Sequence, residues 1–193
     1  MSRISIQPIA RSDAGELIAA NCASRELHRP WVHPFTDADG FQAYSATLQQ
    51  DQKVGLLARE AETGRAAGLF NLSQIARGNF QSAYLGFYGF SGHVGRGLMT
   101  EALRAVLDYA FDELCLHRVE SNVQPGNTRS IALLGRVGFR KEGYSLRYLE
   151  IDGIWRDHER WAILADEFEN QQTAKQAPLE ASTTKKRRHK GRL

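Results

Sequence analysis

The sequence predicts an α/β fold organised around a mixed sheet, with its elements in the order β-α-α-β-β-β-α-β-α-β-β. Segments with the two-residue period of strands alternate with segments that have the 3.6-residue period of helices. Residues 54–60, 66–75 and 81–90 are three consecutive strand candidates, which predict an antiparallel meander. A strand, helix, strand passage follows them and implies one parallel pair of strands, so we expect a mixed sheet.

The N-terminal part supplies one strand and two helices before this meander. Residues 5–9 read as a strand, and residues 14–23 follow as a helix with Asp13 as its capping residue. A second helix is expected to begin after Asp37 or Asp39, because either aspartate can cap it.

The C-terminal part supplies the remaining helices and strands. Asn127 can cap a helix that Gly138 ends, and Asp152-Gly153 is a strong signal for a two-residue hairpin turn. The predicted segments are a helix from residue 98 to about 111, a strand at 118–123, a helix at 128–137, and strands at 144–151 and 154–164.

The chain divides into two parts by composition. Residues 1–170 are expected to form one folded domain, and residues 171–193 a disordered basic tail that lacks the large apolar residues needed to offset its ordering entropy. The chain carries +3 and the tail +6, so the folded part carries about −3. This charge does not favour binding of nucleic acid by the domain itself. The tail is either a solubilising extension or a contact with the ribosome or RNA.

The cysteines and the hydropathy pattern favour a soluble protein of the reduced cytoplasm. Cys22 and Cys115 form neither a CxxC motif nor a Cys/His ligand spacing, so we expect no metal site. No apolar run approaches the roughly 20 residues that cross a bilayer, so we expect no membrane contact. The pattern carries no signature of an oligomeric state.

A glycine-rich segment, residues 92–98, lies between a predicted strand end and a predicted helix start. Unpaired amides and the positive end of the helix dipole meet at such a place, and glycines let several amides face one anion. It is not a Walker loop, because Leu98 and Met99 follow its last glycine, nor a dinucleotide loop, because Thr100 replaces the third glycine. The segment either binds a phosphate group in another way or only permits a tight turn.

Six runs of residues around and after this segment form a recognisable pattern. They are YLG at 84–86, GRGLMTEAL at 95–103, HRV at 117–119, NTRS at 127–130, VGFRKEGY at 137–144 and DGIWRDH at 152–158. In order and spacing these runs resemble the GNAT family of acetyltransferases, and within it the RimJ/RimL type. Residues 77–80 and Pro30-Trp31 are similar to the RimJ branch, whose members act on a small-subunit ribosomal protein that begins with alanine.

The resemblance implies a GNAT acyl-CoA N-acyltransferase fold with acetyl-CoA as the cosubstrate. The strands at 81–90 and 118–123 would splay apart, and the gap between them would receive the pantetheine arm. Main-chain groups near Tyr88, Gly89 and Phe90 would pair with the amides of the cofactor. The pyrophosphate would lie on the amides of Val94, Gly95, Arg96, Gly97, Leu98 and Met99. The family often has Gln or Arg where this chain has Gly92, a departure that leaves this main-chain binding intact.

The resemblance also assigns Asn127 and Ser130 to catalysis. They match an Asn-x-x-Ser element in which the serine hydroxyl donates a hydrogen bond to the departing thiolate, and Asn127 is also counted among the cofactor-binding residues. The alternative is that Asn127 is only a helix cap and Ser130 a first-turn residue. The base stays unassigned, because Leu149 stands where some relatives have a glutamate.

The acceptor is expected to be a protein amino terminus, the alanine of a ribosomal protein, with Trp31 and Tyr148 in contact with it. A protein α-amino group has a pKa of about 7.7 to 8.0, so a modest base or a water chain suffices to deprotonate it. Two alternatives remain open: an acetyltransferase of the same fold that acts on a small amine, and a non-catalytic module that binds RNA.

Overall fold

Seven strands form one mixed sheet in the computed structural model, which describes residues 2–176. In chain order the strands are β1 (Ile4–Pro8), β2 (Lys53–Glu60), β3 (Ala66–Ala76), β4 (Ser82–Gly89), β5 (Arg118–Val123), β6 (Arg140–Ile151) and β7 (Ile154–Leu164). They lie in the order β1-β2-β3-β4-β5-β7-β6, and each neighbouring pair is antiparallel except β4 and β5. The predicted mixed sheet with one parallel pair is confirmed.

The helices include the four that the sequence predicts and two that it does not. They are α1 (Ala14–Ala23), α2 (Arg25–His28), α3 (Ala38–Thr47), α4 (Leu98–Asp108), α5 (Thr128–Val137) and α6 (Ala165–Gln176). The short α2 and the C-terminal α6 are the additions. None of the helices in residues 2–176 has the length and apolar character required to cross a membrane.

Both faces of the sheet are covered. On one face, Leu134 of α5 and Phe168 of α6 are buried in the larger core, and on the other, Leu17 of α1 is buried in a smaller core. The adjacent Leu56 and Leu57 of β2 belong to these two different cores. This follows from the strand geometry, in which successive side chains point to opposite faces.

Helix α6 continues six residues past the expected end of the folded part at residue 170. The ring of Phe168 lies 5.7 Å from that of Phe111, and the Gln172 side chain donates a hydrogen bond of 2.6 Å to the carboxylate of Asp108. These contacts hold α6 against the end of α4. The structure therefore differs from the expected tail boundary for residues 171–176, and the rest of the expected tail, residues 177–193, lies outside the described residues.

Candidate functional site

A cleft opens in the sheet where β4 and β5 separate. The two strands pair over three residues only, from Ser82 opposite Arg118 to Tyr84 opposite Glu120. Further along, the Ser121 hydroxyl donates a hydrogen bond of 2.9 Å to the Leu85 carbonyl. The remainder of both strands lines a cavity of about 1130 Å³, together with α2, the loop after β4 and the start of α5.

The end of β4 presents main-chain groups to this cleft at alternate residues. The Phe90 amide donates a hydrogen bond of 2.9 Å to a carbonyl of β3, so the main-chain groups of Tyr88 and Phe90 face β3. By alternation those of Phe87 and Gly89 face the cleft. The expectation for this strand changes accordingly: Phe87 replaces Phe90, which is buried and does not line the cleft, while Tyr88 lines the cleft although its main-chain groups face β3.

One of the main-chain groups that face the cleft, the Gly89 carbonyl, already has a partner in His28. Its Nε2 donates a hydrogen bond of 2.9 Å to the Gly89 carbonyl, and its ring meets that of Tyr88 edge-on at 4.9 Å. The side chain is buried, and burial lowers the pKa of His28, against the opposing effect of the bond to Gly89. His28 therefore positions the end of β4 as a neutral donor.

The loop between β4 and α4 carries a run of free amides. Gly92, Gly95 and Gly97 have φ values of +86°, +79° and +83°, a region that favours glycine. Hydrogen bonds flank the run, from the His93 amide to Phe90 and from the Thr100 amide to Gly97. Within the described chain, none of the main-chain amides of residues 94–99 has a protein acceptor. Six successive donors at a helix N-terminus form a favourable place for a phosphate group.

The carboxylate of Glu60, at the end of β2, lies beneath this loop. It is 5% exposed and accepts hydrogen bonds from Arg96 at 2.6 Å and from the Thr63 hydroxyl at 2.9 Å, with His93 Nε2 at 3.6 Å. The Thr63 hydroxyl and the Arg96 guanidinium hold the pKa of Glu60 below its ordinary value. Arg96 thus contributes its amide to the run of donors, while its guanidinium supports the loop.

Helix α5 begins at the opposite wall with the Asn-x-x-Ser element. The Asn127 side-chain oxygen accepts a hydrogen bond of 3.2 Å from the Ser130 amide, so Asn127 caps the helix. Both residues line the cleft. The cap fixes the first turn of α5, and with it the position of Ser130.

Of the two residues expected to contact the acceptor, Trp31 lines the cleft and Tyr148 does not. Trp31 lines the cleft and packs on Gly126, where an added Cβ would lie 2.9 Å from the indole. It also borders a second cavity of about 350 Å³ that Tyr144 and Trp155 line. Tyr148 instead lies behind the cleft wall, with its ring 6.2 Å from that of His158.

A bulge in β6 explains the position of Tyr148. The pairing with β7 shifts between Ser145 and Leu149, and Arg147 in the bulge has a φ of +47°. Asp157 of β7 stabilises it by accepting hydrogen bonds from the Arg147 amide at 2.8 Å and the Tyr144 hydroxyl at 2.9 Å. These bonds hold the pKa of Asp157 below its ordinary value.

The strand arrangement also brings to the site one residue of the run at 152–158 that was given no functional role from the sequence. Leu149 lines the cleft, as expected, and supplies no carboxylate there. His158 of β7 lines it too and is buried. The sequence contained one signal for this position. Successive side chains of β7 point to opposite faces of the sheet, so Arg156 and His158 share one face and Asp157 and Glu159 the other.

These features define an enzyme class. The chain belongs to the acetyltransferase (GNAT) domain family, whose model matches residues 3–140. It is an N-acetyltransferase, an enzyme that transfers an acetyl group to an amine. The predicted family is confirmed.

Individual relatives and solved structures resemble the chain over most of its length. The chain is 33% identical over 175 residues to the Escherichia coli [ribosomal protein uS5]-alanine N-acetyltransferase, across 86% of this chain and 90% of that protein. Mycobacterium smegmatis RimJ in complex with CoA-disulfide superposes with a TM-score of 0.78 at 29% identity, covering 89% of this chain and 88% of that one. Vibrio cholerae spermidine N-acetyltransferase in complex with CoA and spermine has a TM-score of 0.75 at 22% identity, covering 88% and 100%, a likeness of fold alone.

Replacing Glu60 by glutamine should destabilise the protein in a pH-dependent way. The ionised form of Glu60 is favoured in the folded state, so its contribution to the free energy of unfolding is present at about pH 7 and is lost as the pH falls through its depressed folded pKa, below the ordinary value of 4.5. Urea unfolding of wild type and Glu60→Gln, from about pH 7 to about pH 3, should show the gap between the two proteins closing at low pH.

Glu62→Gln is the matched control, because Glu62 lies exposed in the turn after β2. Its free energy of unfolding should stay within about 0.5 kcal/mol of wild type. A gap between wild type and Glu60→Gln that is equally wide at every pH would contradict the role of the Glu60 ion pairs.

Proposed function

We propose that this enzyme transfers the acetyl group of acetyl-CoA to the α-amino group of a protein N-terminus, the alanine of a ribosomal protein. The observation that supports this choice of acceptor is the similarity to the uS5-alanine enzyme. The similarity covers 90% of that protein and is not confined to the cofactor-binding part. The cofactor half of the fold is shared by acetyltransferases with many acceptors, so similarity confined to it would not favour one acceptor.

The cleft fits acetyl-CoA at several points. The free amides of residues 94–99 suit its pyrophosphate, and the Phe87 main chain faces the gap where the pantetheine amides would lie. Asn122, which lines the cleft, has a buried side-chain oxygen without a partner in the described chain, and a donor in the cleft would satisfy it. When bound, acetyl-CoA supplies the activated thioester.

Charge in the cleft favours a protein N-terminus over a polyamine. A polyamine is a multiple cation and needs several carboxylates to balance it. The cleft wall has the carboxylate of Glu26 but three guanidinium groups, those of Arg29, Arg129 and Arg136. This balance suits the phosphates of the cofactor and disfavours a second cationic ligand. An N-terminus brings a single amine, a large fraction of which is already neutral near its pKa.

The chemistry assigned to the chain is orientation and charge stabilisation. Asn127 caps the first turn of α5, and Ser130 in that turn lines the cleft. In the proposal the Ser130 hydroxyl donates a hydrogen bond to the departing thiolate. Trp31 lies at the side where the peptide would enter. The strands exclude water from the gap between them once the pantetheine arm fills it.

Acetyl transfer to defined acceptors tests the proposal. With radiolabelled acetyl-CoA, the enzyme should label a peptide that begins with alanine and follows a ribosomal-protein N-terminus, and mass analysis should place the acetyl group on the α-amine. The same peptide with a blocked N-terminus but a free lysine is the control, and it should remain unlabelled. Label transferred only to spermidine or to another small amine would overturn the assigned acceptor while leaving the acetyltransferase class intact.

Removing the Ser130 hydroxyl should lower turnover more than cofactor affinity. A hydrogen bond to the thiolate strengthens only as charge develops in the transition state, so Ser130→Ala should reduce kcat about tenfold to a hundredfold with little change in the Kd for acetyl-CoA. Steady-state kinetics and calorimetry measure the two quantities. Ser45→Ala, the same change in α3 away from the cleft, should leave both unaffected. Equal losses in kcat and in affinity for Ser130→Ala would make Ser130 a structural residue.

A further inference from the structure

The cleft wall contains two buried histidines, His28 and His158, and each has one ring nitrogen bonded to a main-chain carbonyl. Their exposures are both 3%. A carbonyl oxygen can only accept a hydrogen bond, so the bonded nitrogen carries the proton and, in the neutral ring, the other nitrogen holds the lone pair. The two residues therefore differ in which nitrogen is basic.

In His28 the basic nitrogen is inaccessible. Nε2 donates to the Gly89 carbonyl, which leaves the lone pair on Nδ1. This Nδ1 is a buried atom without a partner in the described chain, enclosed by protein. No acceptor in the cleft could deliver a proton to it, so the geometry gives His28 a structural role.

In His158 the arrangement is reversed. Nδ1 lies 3.0 Å from the Arg156 carbonyl oxygen, to which it donates, so the lone pair is on Nε2. Within residues 2–176 Nε2 has no hydrogen-bond partner, and unlike His28 Nδ1 it is not one of the enclosed atoms. His158 directly precedes Glu159, which pairs with Val123 at the end of β5. It therefore lies at the cleft wall beside the gap between the strands.

We propose that His158 is the general base of acetyl transfer. The nitrogen of the acceptor amine attacks the thioester carbonyl, a C–N bond forms, and the proton of the amine passes to Nε2 of His158, directly or through one water. The C–S bond then breaks and its electron pair leaves as the thiolate, to which Ser130 donates a hydrogen bond. The thiolate takes up a proton and His158 returns its own to solvent, so no other reactant is consumed.

The surroundings suit this role. Burial lowers the pKa of His158, with the Arg156 carbonyl and Asp157 acting in the opposite direction, so the ring is neutral and able to accept a proton near neutral pH. Tyr148 of β6 packs beside the ring, with its own ring 6.2 Å from that of His158, and the interaction with Tyr148 raises the pKa of Tyr84 of β4 to about 12. The charged groups elsewhere on the cleft wall are those of Glu26, Arg29, Arg129 and Arg136.

His158→Asn tests the proposal, because the Asn side-chain amide can replace the donor to Arg156 but cannot accept the proton. With an amine that wild type acetylates, kcat/KM should fall about a hundredfold or more. The wild-type profile of kcat/KM against pH should decline once as the acceptor amine becomes protonated and more steeply below pH 6.5 as His158 becomes protonated, and the variant should keep only the first decline. His117→Asn, a change at an exposed histidine outside the cleft, should retain the wild-type profile.

Two measurements distinguish misfolding of the variant from failure of the proposal. The Kd for acetyl-CoA and the thermal unfolding midpoint of His158→Asn should match wild type, and His158→Gln is the second variant if Asn unfolds the protein.

The ¹⁵N spectrum of histidine-labelled wild type should show His158 protonated at Nδ1. The assignment of the base is overturned by a proton on Nε2, or by a folded variant with wild-type kcat/KM and with the second, steeper decline below pH 6.5 unchanged. The inference rests on amine acetylation and not on the acceptor's identity, so failure of the alanine peptide would bear only on the proposed acceptor.

Discussion

The early end of the pairing between β4 and β5 is the constraint on which the rest of the site depends. After three paired residues the two strands diverge, and the Ser121 hydroxyl bridges to Leu85 near the point of divergence. A sheet that continued to pair would have satisfied its own main-chain groups and left no cleft. Divergence leaves the Phe87 main chain facing the gap, and it brings α5 and β7 to the other wall, where Ser130 and His158 lie.

The loop after β4 completes this arrangement, and it depends on charge as well as on glycine. A glycine-rich loop has a large conformational entropy to lose on ordering. Glu60 helps to offset this cost by binding Arg96 from beneath, with His93 Nε2 3.6 Å away. On the far side of the loop Arg3 of the N-terminal segment forms an ion pair with Glu101 in the first turn of α4. Charged side chains thus hold the run of free amides in place from both sides.

Periodicity in the sequence predicts most of the fold, because strands and helices that cover a sheet must alternate in polarity. The hairpin at Asp152-Gly153 and the helix between Asn127 and Gly138 follow from turn and capping chemistry that acts over a few residues. Helix α6 was not predicted, since its residues are mostly polar and its burial depends on Phe168 meeting Phe111, a contact that periodicity does not reveal.

The site was predictable only in part, for the same reason. The glycine loop and Ser130 are local motifs, whereas the choice of Phe87 over Phe90 depends on the strand register with β3. A bulge in β6 places Tyr148 behind the cleft wall, and it forms because Asp157 binds the Arg147 amide across the hairpin. His158 became a candidate base only when the structure showed which ring nitrogen of each cleft histidine binds a main-chain carbonyl.

If the amides of residues 94–99 bind the pyrophosphate of acetyl-CoA, as proposed, calorimetry on two glycine variants should show it. Gly97 and Gly78 both have a positive φ, +83° and +65°, so valine is strained at either position, but Gly78 lies in the turn between β3 and β4, away from the cleft. Gly97→Val should raise the Kd for acetyl-CoA at least about tenfold, a loss of about 1.4 kcal/mol in binding free energy, while Gly78→Val should bind acetyl-CoA as wild type does. Equal, wild-type affinity in both variants would contradict it.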